Sequence, residues 1–305
     1  MIGGNENVCW SRLDGRPFAP AIRANTLAAR DDRPRIMARL MCCSDRNRNL
    51  TLVAAISLAA SCLGHAAPPP SDPGATTRSK RQRANAALTQ IGARLIVDPK
   101  TERVVEINLN DNTRVRDDDL RHLAPFTRLT DLSLEGTRIG DAGMLHLKGL
   151  KRLEWLNLYR TDVGDEGARR LTALNSLRHL PIGKTRVTDS GLAHVGKMKQ
   201  LVYLGLRGDN ISDAGLNHLA GLTNLTGLHL GETKVTDTGL VHIVGLKKLQ
   251  KLWLHDTLIT DKSVASLKKM EHLKQLVVYN TAFTEKGFRE LSKLRPGLLI
   301  LYRTE

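Results

Sequence analysis

Leucine and its aliphatic relatives recur along this chain at a fixed interval, 24 residues from position 130 onward. Segments beginning at 130, 154, 178, 202, 226 and 250 align without a gap; a longer copy begins near Val105, and another runs from Lys274 to about Leu298. The third slot of the copies reads Leu132, Leu156, Leu180, Leu204, Leu228, Leu252, Leu276, and the fifth Leu134, Leu158, Ile182, Leu206, Leu230, Leu254, Val278. Two apolar side chains separated by one residue face the same side of an extended segment, so each copy opens with a short strand. An aliphatic column follows at Ile139, Val163, Val187, Ile211, Val235 and Ile259, with Phe283 closing it. Next comes an aspartate column from Asp141 to Asp261, and two residues later a glycine column broken only by Ser263. Apolar residues then return every third position, as Leu192, Val195, Met198 or Leu216, Leu219, Leu222, the spacing of a helix face. One unit therefore reads strand, turn, helix, turn.

No such unit buries its leucines alone. Stacked neighbours build one continuous core, with a parallel sheet on one face and helices on the other. The pattern closely resembles the leucine-rich repeat family, in particular the bacterial 24-residue variety with a TDxGL signature. That signature stands here as Thr188-Asp189-Ser190-Gly191-Leu192 and Thr236-Asp237-Thr238-Gly239-Leu240. The resemblance covers residues 104–302 and implies an α/β solenoid, a right-handed horseshoe with a concave sheet and convex helices. The chain is also similar to the cysteine-containing repeats found beside F-boxes. Where those carry Asn or Cys after the strand, this chain has Thr137, Thr161, Thr185, Thr233, Thr257 and Thr281, with Asp209 as the exception. A hydroxyl there is expected to pair with the backbone of the next turn. No F-box-like helical module precedes the repeats, so that family's ubiquitin-ligase role does not carry over.

The chain before the repeats divides further. Residues 1–40 read as a disordered extension or a mis-assigned start. Residues 41–67 read as a signal peptide: Arg46 and Arg48 precede an apolar run from Leu50 to Ala60, which is too short to span a bilayer and is followed by small residues. Membrane contact is expected only through that signal or through a lipid anchor at Cys62. Residues 68–83 read as a disordered linker and 84–104 as a cap, with an amphipathic helix from Ala84 to Leu95 and a hairpin turning at Asp98-Pro99-Lys100. Residues 105–305 hold about eight repeats plus a terminal strand, Leu298–Tyr302, whose edge is free to pair with another chain in an otherwise monomeric protein. Secretion or a periplasmic location follows from the signal.

Charge and cysteine sharpen this only a little. The formal charge is +15, but residues 1–103 carry 16 Lys and Arg against 8 Asp and Glu, so about half the excess precedes the repeats. All four cysteines, Cys9, Cys42, Cys43 and Cys62, lie there too, which leaves the repeats no disulfide and no thiolate chemistry.

Catalytic, cofactor-binding and metal-binding residues are all expected to be absent. The aspartate column belongs at helix starts, where a carboxylate complements the helix dipole. The histidines at slot 17 (His122, His146, His194, His218, His242) are one per helix, too far apart to share an ion. Neither a Ser/His/Asp grouping nor a phosphate-cradling glycine loop is present.

The informative positions are those that vary, because strand slots two, four and six turn away from the leucine core. Ten residues there and in slot seven are the expected partner-binding surface: Trp155, Tyr159, Arg160, His179, Tyr203, Arg207, His229, Trp253, His255 and Tyr279. Exposed aromatics and arginine on a rigid sheet suit a protein or other macromolecular partner. Gly183, Gly205, Gly227 and Gly231 predict a shallow hollow among them, and Pro181 a local irregularity. Two other readings are polyanion, nucleic-acid or glycan binding through the basic linker and the concave Arg and Lys, and an F-box-type substrate adaptor domain lacking the F-box.

Overall fold

The structure, a computed structural model, describes residues 73–303, which fall in one unit, Ala66–Glu305. The expected extension, the signal peptide and Cys62 lie outside the described residues. Ten strands form one sheet whose spatial order is the chain order. They are β1 Arg94–Asp98, β2 Arg103–Asn108, β3 Asp131–Ser133, β4 Trp155–Asn157, β5 His179–Pro181, β6 Tyr203–Gly205, β7 Gly227–His229, β8 Lys251–Trp253, β9 Gln275–Val277 and β10 Leu299–Leu301. After an antiparallel β1–β2 hairpin every pairing is parallel. Slot pairs with slot, so that Leu204 faces Leu228 and Leu228 faces Leu252. All seven third-slot leucines are fully buried in a single apolar cluster that runs from Ala84 to Ile300. This is a leucine-rich repeat solenoid of α/β type.

The helical limb of each unit is shorter than the sequence pattern implies. Four are α-helices (Asp165–Leu171, Asp189–Val195, Asp213–Leu219, Glu285–Leu294), Asp117–Leu123, Gly143–Gly149 and Gly239–His242 are 3-10 turns, and the limb after β8 passes from a 3-10 turn, Asp261–Ser263, into a short α-helix, Val264–Leu267. Apolar residues spaced by three suit the three-residue turn of a 3-10 helix, and limbs this short tolerate its poorer hydrogen bonds.

The N-terminal cap also differs from expectation. Its helix, α1, spans Pro73–Gln90, so residues 73–83, read as linker, are helical, and the helix stops before Leu95. Pro73 supplies a fixed φ at the first turn, and the Lys, Arg, Gln and Ala that follow are good helix formers. Gly92, at φ +90°, ends it in a conformation that other residues resist. Ala84 and Leu88 turn inward, and the hairpin returns as expected, with a register shift at Ile96/Val97.

Consecutive units are latched by the aspartate column. Asp189 Oδ1 accepts the Ser212 N–H at 2.9 Å, and its Oδ2 accepts the Ser212 hydroxyl at 2.6 Å. Asp165 holds Thr188, Asp237 holds Thr260 and Asp261 holds Thr284 in the same way. The hydroxyl so held caps its own helix: Thr188 Oγ1 accepts from Ser190 N–H and Ser212 Oγ from Ala214 N–H. Each carboxylate thus binds the neighbouring unit's backbone as well as sitting at a helix start. The glycine column follows directly, since a Cβ on Gly215 would stand 2.2 Å from Asp189 Oδ1 and one on Gly191 2.4 Å from Asp165 Oδ1.

The threonine column works differently from expectation. The hydroxyls of Thr137, Thr161, Thr233, Thr257 and Thr281 each donate at 2.6 Å to the carbonyl three residues back in their own unit. They tie the strand end to its own turn rather than to the next. At Pro181 the expected irregularity is present: the β4–β5 pairing contracts to the single match Trp155↔His179, because proline has no N–H to give.

Candidate interaction surface

Strands β2 to β9 each leave the sheet through one residue in the left-handed region. Asp111 (φ 54°), Arg160 (59°), Lys184 (51°), Glu232 (58°), Asp256 (55°) and Asn280 (53°) occupy it, and only at Gly136 and Gly208 is it free of strain. A side chain there costs about 1–2 kcal/mol per residue, and the column brings charged groups to the margin of the sheet face.

Between β6 and β9 the outward side chains interlock. Tyr203 meets Trp253 edge to face, with ring centres 6.4 Å apart. The Trp253 ring stacks on His229 at 5.4 Å, His229 meets His255 edge-on at 5.2 Å, and His255 stacks on Tyr279 at 4.8 Å. The glycines make this possible, but they leave no hollow. Tyr203 lies along its strand so that a Cβ on Gly205 would be 3.0 Å from its hydroxyl, and one on Gly231 would be 2.5 Å from His255 Nε2. Tyr203 is 5% exposed, His229 4% and His255 3%. These three form a floor, while Trp253, Tyr279 and Arg207 are half-buried above it.

Burial pushes His229 down to about 3, and the nearby His255 and Arg207 charges add to the shift. His229 is therefore a neutral ring at ordinary pH, and its Nδ1 accepts the Gly231 N–H at 3.2 Å. Burial likewise pushes the Tyr203 phenol far up, so it stays protonated.

Arg207 donates through Nε to Glu232 Oε1 at 2.6 Å, and Lys184 Nζ lies 3.2 Å from Glu232 Oε2. Burial works against the Glu232 charge, but those two partners hold its carboxyl below the usual range. Arg207 and Lys184 are thus neutralised locally, which weighs against a polyanion reading of this part of the face. Glu232, His255 and Asp256 bring ligand atoms within 4.8 Å of one another, and His255 Nδ1 lies 2.7 Å from Asp256 Oδ2. A cation there would have to displace Arg207 and Lys184 from Glu232, so the group reads as an ion-pair network.

Of the remaining expected residues, Trp155 and His179 are half-buried neighbours across the β4–β5 pairing, and Tyr159 is half-buried on the same face. Arg160 is turned outward, 3.7 Å from Asp111. The slot histidines are half-buried at 122, 146 and 194 and exposed at 218 and 242.

Asp209, the one break in the threonine column, had no role assigned to it from the sequence. It is 3% exposed, and its Oδ1 accepts both the Thr185 N–H at 2.8 Å and the Thr185 hydroxyl at 3.1 Å. Burial pushes this carboxyl up to about 8, so at neutral pH it is largely an acid, as the hydroxyls of its column are neutral.

No protein-family model matches the sequence, and no curated protein matches it. Among solved structures, the chain is similar to an internalin C2 from Listeria monocytogenes, with 20% identity and a TM-score of 0.48 over 64% of this chain and 91% of that one. A leucine-rich repeat protein from Leptospira interrogans, LIC12759, shows 21% identity and a TM-score of 0.45 over 59% of this chain and 50% of that one. The third is the leucine-rich repeat ectodomain of the Arabidopsis thaliana receptor kinase GASSHO1/SCHENGEN3, in complex with CASPARIAN STRIP INTEGRITY FACTOR 2. It shows 17% identity and a TM-score of 0.45 over 65% of this chain and 24% of that one. At these values the likenesses carry no weight for function, and the fold stands on strand order and register.

Proposed function

We propose that this protein is a non-catalytic binding scaffold that engages a protein partner through the sheet face between β6 and β9. The observation that carries the reading is the ring ladder. Because Trp253 stacks on His229 and His255 on Tyr279, ring faces are spent on one another, and the upper side chains offer edges and polar tips. That arrangement suits the polar backbone and mixed side chains of a protein, and it is poorly made for stacking on a nucleobase. The buried Tyr203, His229 and His255 hold Trp253, Tyr279 and Arg207 in place, so little is ordered on binding. We further infer that the units are of the bacterial TDxGL type and that the protein acts outside the cytoplasm, on the strength of the apolar run from Leu50 to Ala60. Among the described residues no helix is long and apolar enough to cross a membrane.

The test compares cross-linked partners of the full chain with those of Trp253→Ala and Tyr279→Ala variants. Proteins captured by the wild type and lost from both variants support the site; equal capture by all three refutes it. The mass of the N-terminus recovered from the medium or periplasm checks the leader, and an intact Met1 start would exclude its cleavage.

A further inference from the structure

The two loop edges of the solenoid carry opposite charge, which the total conceals. Loops leading out of the strands span 111–119, 136–143, 160–167, 184–191, 208–215, 232–239, 256–263 and 280–287. Together they hold 9 Lys and Arg against 16 Asp and Glu. Loops leading back into the strands span 124–130, 148–154, 172–178, 196–202, 220–226, 244–250, 268–274 and 292–298, and they hold 14 Lys and Arg against 2 acids. All of those fourteen are exposed except Arg295, which is half-buried. No ion pair found among the described residues includes any of them.

Helix capping explains a few. Lys151 donates to Ala173 O at 3.2 Å, Lys199 to Gly196 O at 2.7 Å, and Arg295 to Met270, Glu271 and Leu273 carbonyls. It does not explain Lys247, Lys268, Lys269 or Lys274, which hold like charges close together with Glu271 as the one acid among them.

The edge is concave where three consecutive units meet. An open groove of about 830 Å³ is lined there by Lys247 and Lys248 of one unit, His272 of the next, and Lys274 and Arg295 of the last, with Glu271 its one acid. Leu273, Leu294 and Pro296 supply apolar wall.

We propose that this groove, with the basic edge it opens from, binds a linear acidic polysaccharide. A trough crossing successive units follows an extended polymer, and lysine ammonium groups act as point charges tolerant of many anion geometries. No Phe, Tyr or Trp lines the groove to stack on a base, so single-stranded nucleic acid is disfavoured. The apolar wall meets the C–H face of a sugar ring. The site is separate from the sheet face and stands or falls independently of the reading given above.

The probe is fluorescent heparin titrated with the full-length protein at several salt concentrations. Exchanging Lys247, Lys248 and Lys274 together for Gln is expected to weaken binding at least 10-fold and to reduce the slope of log affinity against log salt by about 2. Lys80→Gln with Arg81→Gln and Arg83→Gln, and separately Trp253→Ala, are expected to bind as the wild type does. An unaltered thermal melt establishes that each variant is folded. Wild-type affinity in the Lys247/Lys248/Lys274 variant would overturn the proposal. So would loss of binding in the residue 80–83 variant, or tighter binding of single-stranded DNA than of heparin at equal salt.

Discussion

The edge where strands turn into helices and the face of the sheet share one repeat period, yet they use it in opposite ways. Along the edge, Asp165, Asp189, Asp213, Asp237 and Asp261 each reach the next unit's backbone at nearly the same distance. On the face, the same rungs carry Tyr, Gly, Lys and Gln in slot two of β6 to β9, and no two are alike. Composition is held constant where a neighbour's atoms leave no room, and it drifts where side chains meet open space or one another.

The sharpest way to break that contrast is to put a methyl group into the latch. Gly→Ala inside a helix ordinarily stabilises by up to about 1 kcal/mol. At Gly215 the new Cβ would sit 2.2 Å from Asp189 Oδ1, and we expect instead a loss of about 2–3 kcal/mol in a urea titration followed by circular dichroism. A gain would show that the carboxylate is not fixed where it stands. Asp189→Ala tests the same joint from the other side, leaving Ser212 N–H and its hydroxyl without their acceptor for a loss of about 2 kcal/mol. If the joint is shared, the paired substitution costs less than the sum of the two.

The sheet face answers to pH. His229 is depressed to about 3 in the folded chain from an ordinary 6.5, so between those values the unfolded chain binds a proton that the folded one refuses. Its contribution is complete above pH 6.5 and declines as pH falls, by about 1.4 kcal/mol per unit for one proton. His229→Gln should flatten that acid limb when melting temperatures are compared from pH 7 to 4, and an identical limb would remove His229 from the account.

The smallest effect has the opposite sign. Asp209 is raised to about 8 from 3.8, so the folded chain keeps a proton that the unfolded one releases, and stability declines as pH rises through that window. Asp209→Thr, which restores the residue type of the column, should stabilise by about 1–2 kcal/mol at pH 9 and by less at pH 5. Equal shifts at both pH values would mean that the carboxyl is not protonated in the fold.

The units, their register and the cap hairpin were legible in the sequence because periodicity reports burial directly. Leu132 through Leu276 could sit nowhere else. The glycine column was visible as a pattern but not as a reason, since its cause is an oxygen 24 residues or more upstream. The start of α1 at Pro73 was hidden because, among its described side chains, Ala84 and Leu88 are the buried hydrophobic ones, which leaves little apolar stripe to read. On the sheet face, the right residues stood out as aromatic, but which would lie beneath and which above depended on contacts across three strands. The left-handed column gave little sign of itself, since Asp111, Asp256 and Asn280 are usual tenants of that conformation but Arg160, Lys184 and Glu232 are not. The charge of the two edges was present in the letters and emerged only once the loops were sorted by direction.

Pro181 has a mechanical consequence. A stack held by nearest-neighbour contacts is only as strong as its joints, and between β4 and β5 Pro181 withholds an N–H, while Leu158 N–H still reaches Pro181 O at 2.8 Å and Arg160 N–H reaches Gly183 O at 3.0 Å. In denaturant, local opening along the sheet is expected to start at that seam, although the helices Asp165–Leu171 and Asp189–Val195 pack against each other across it.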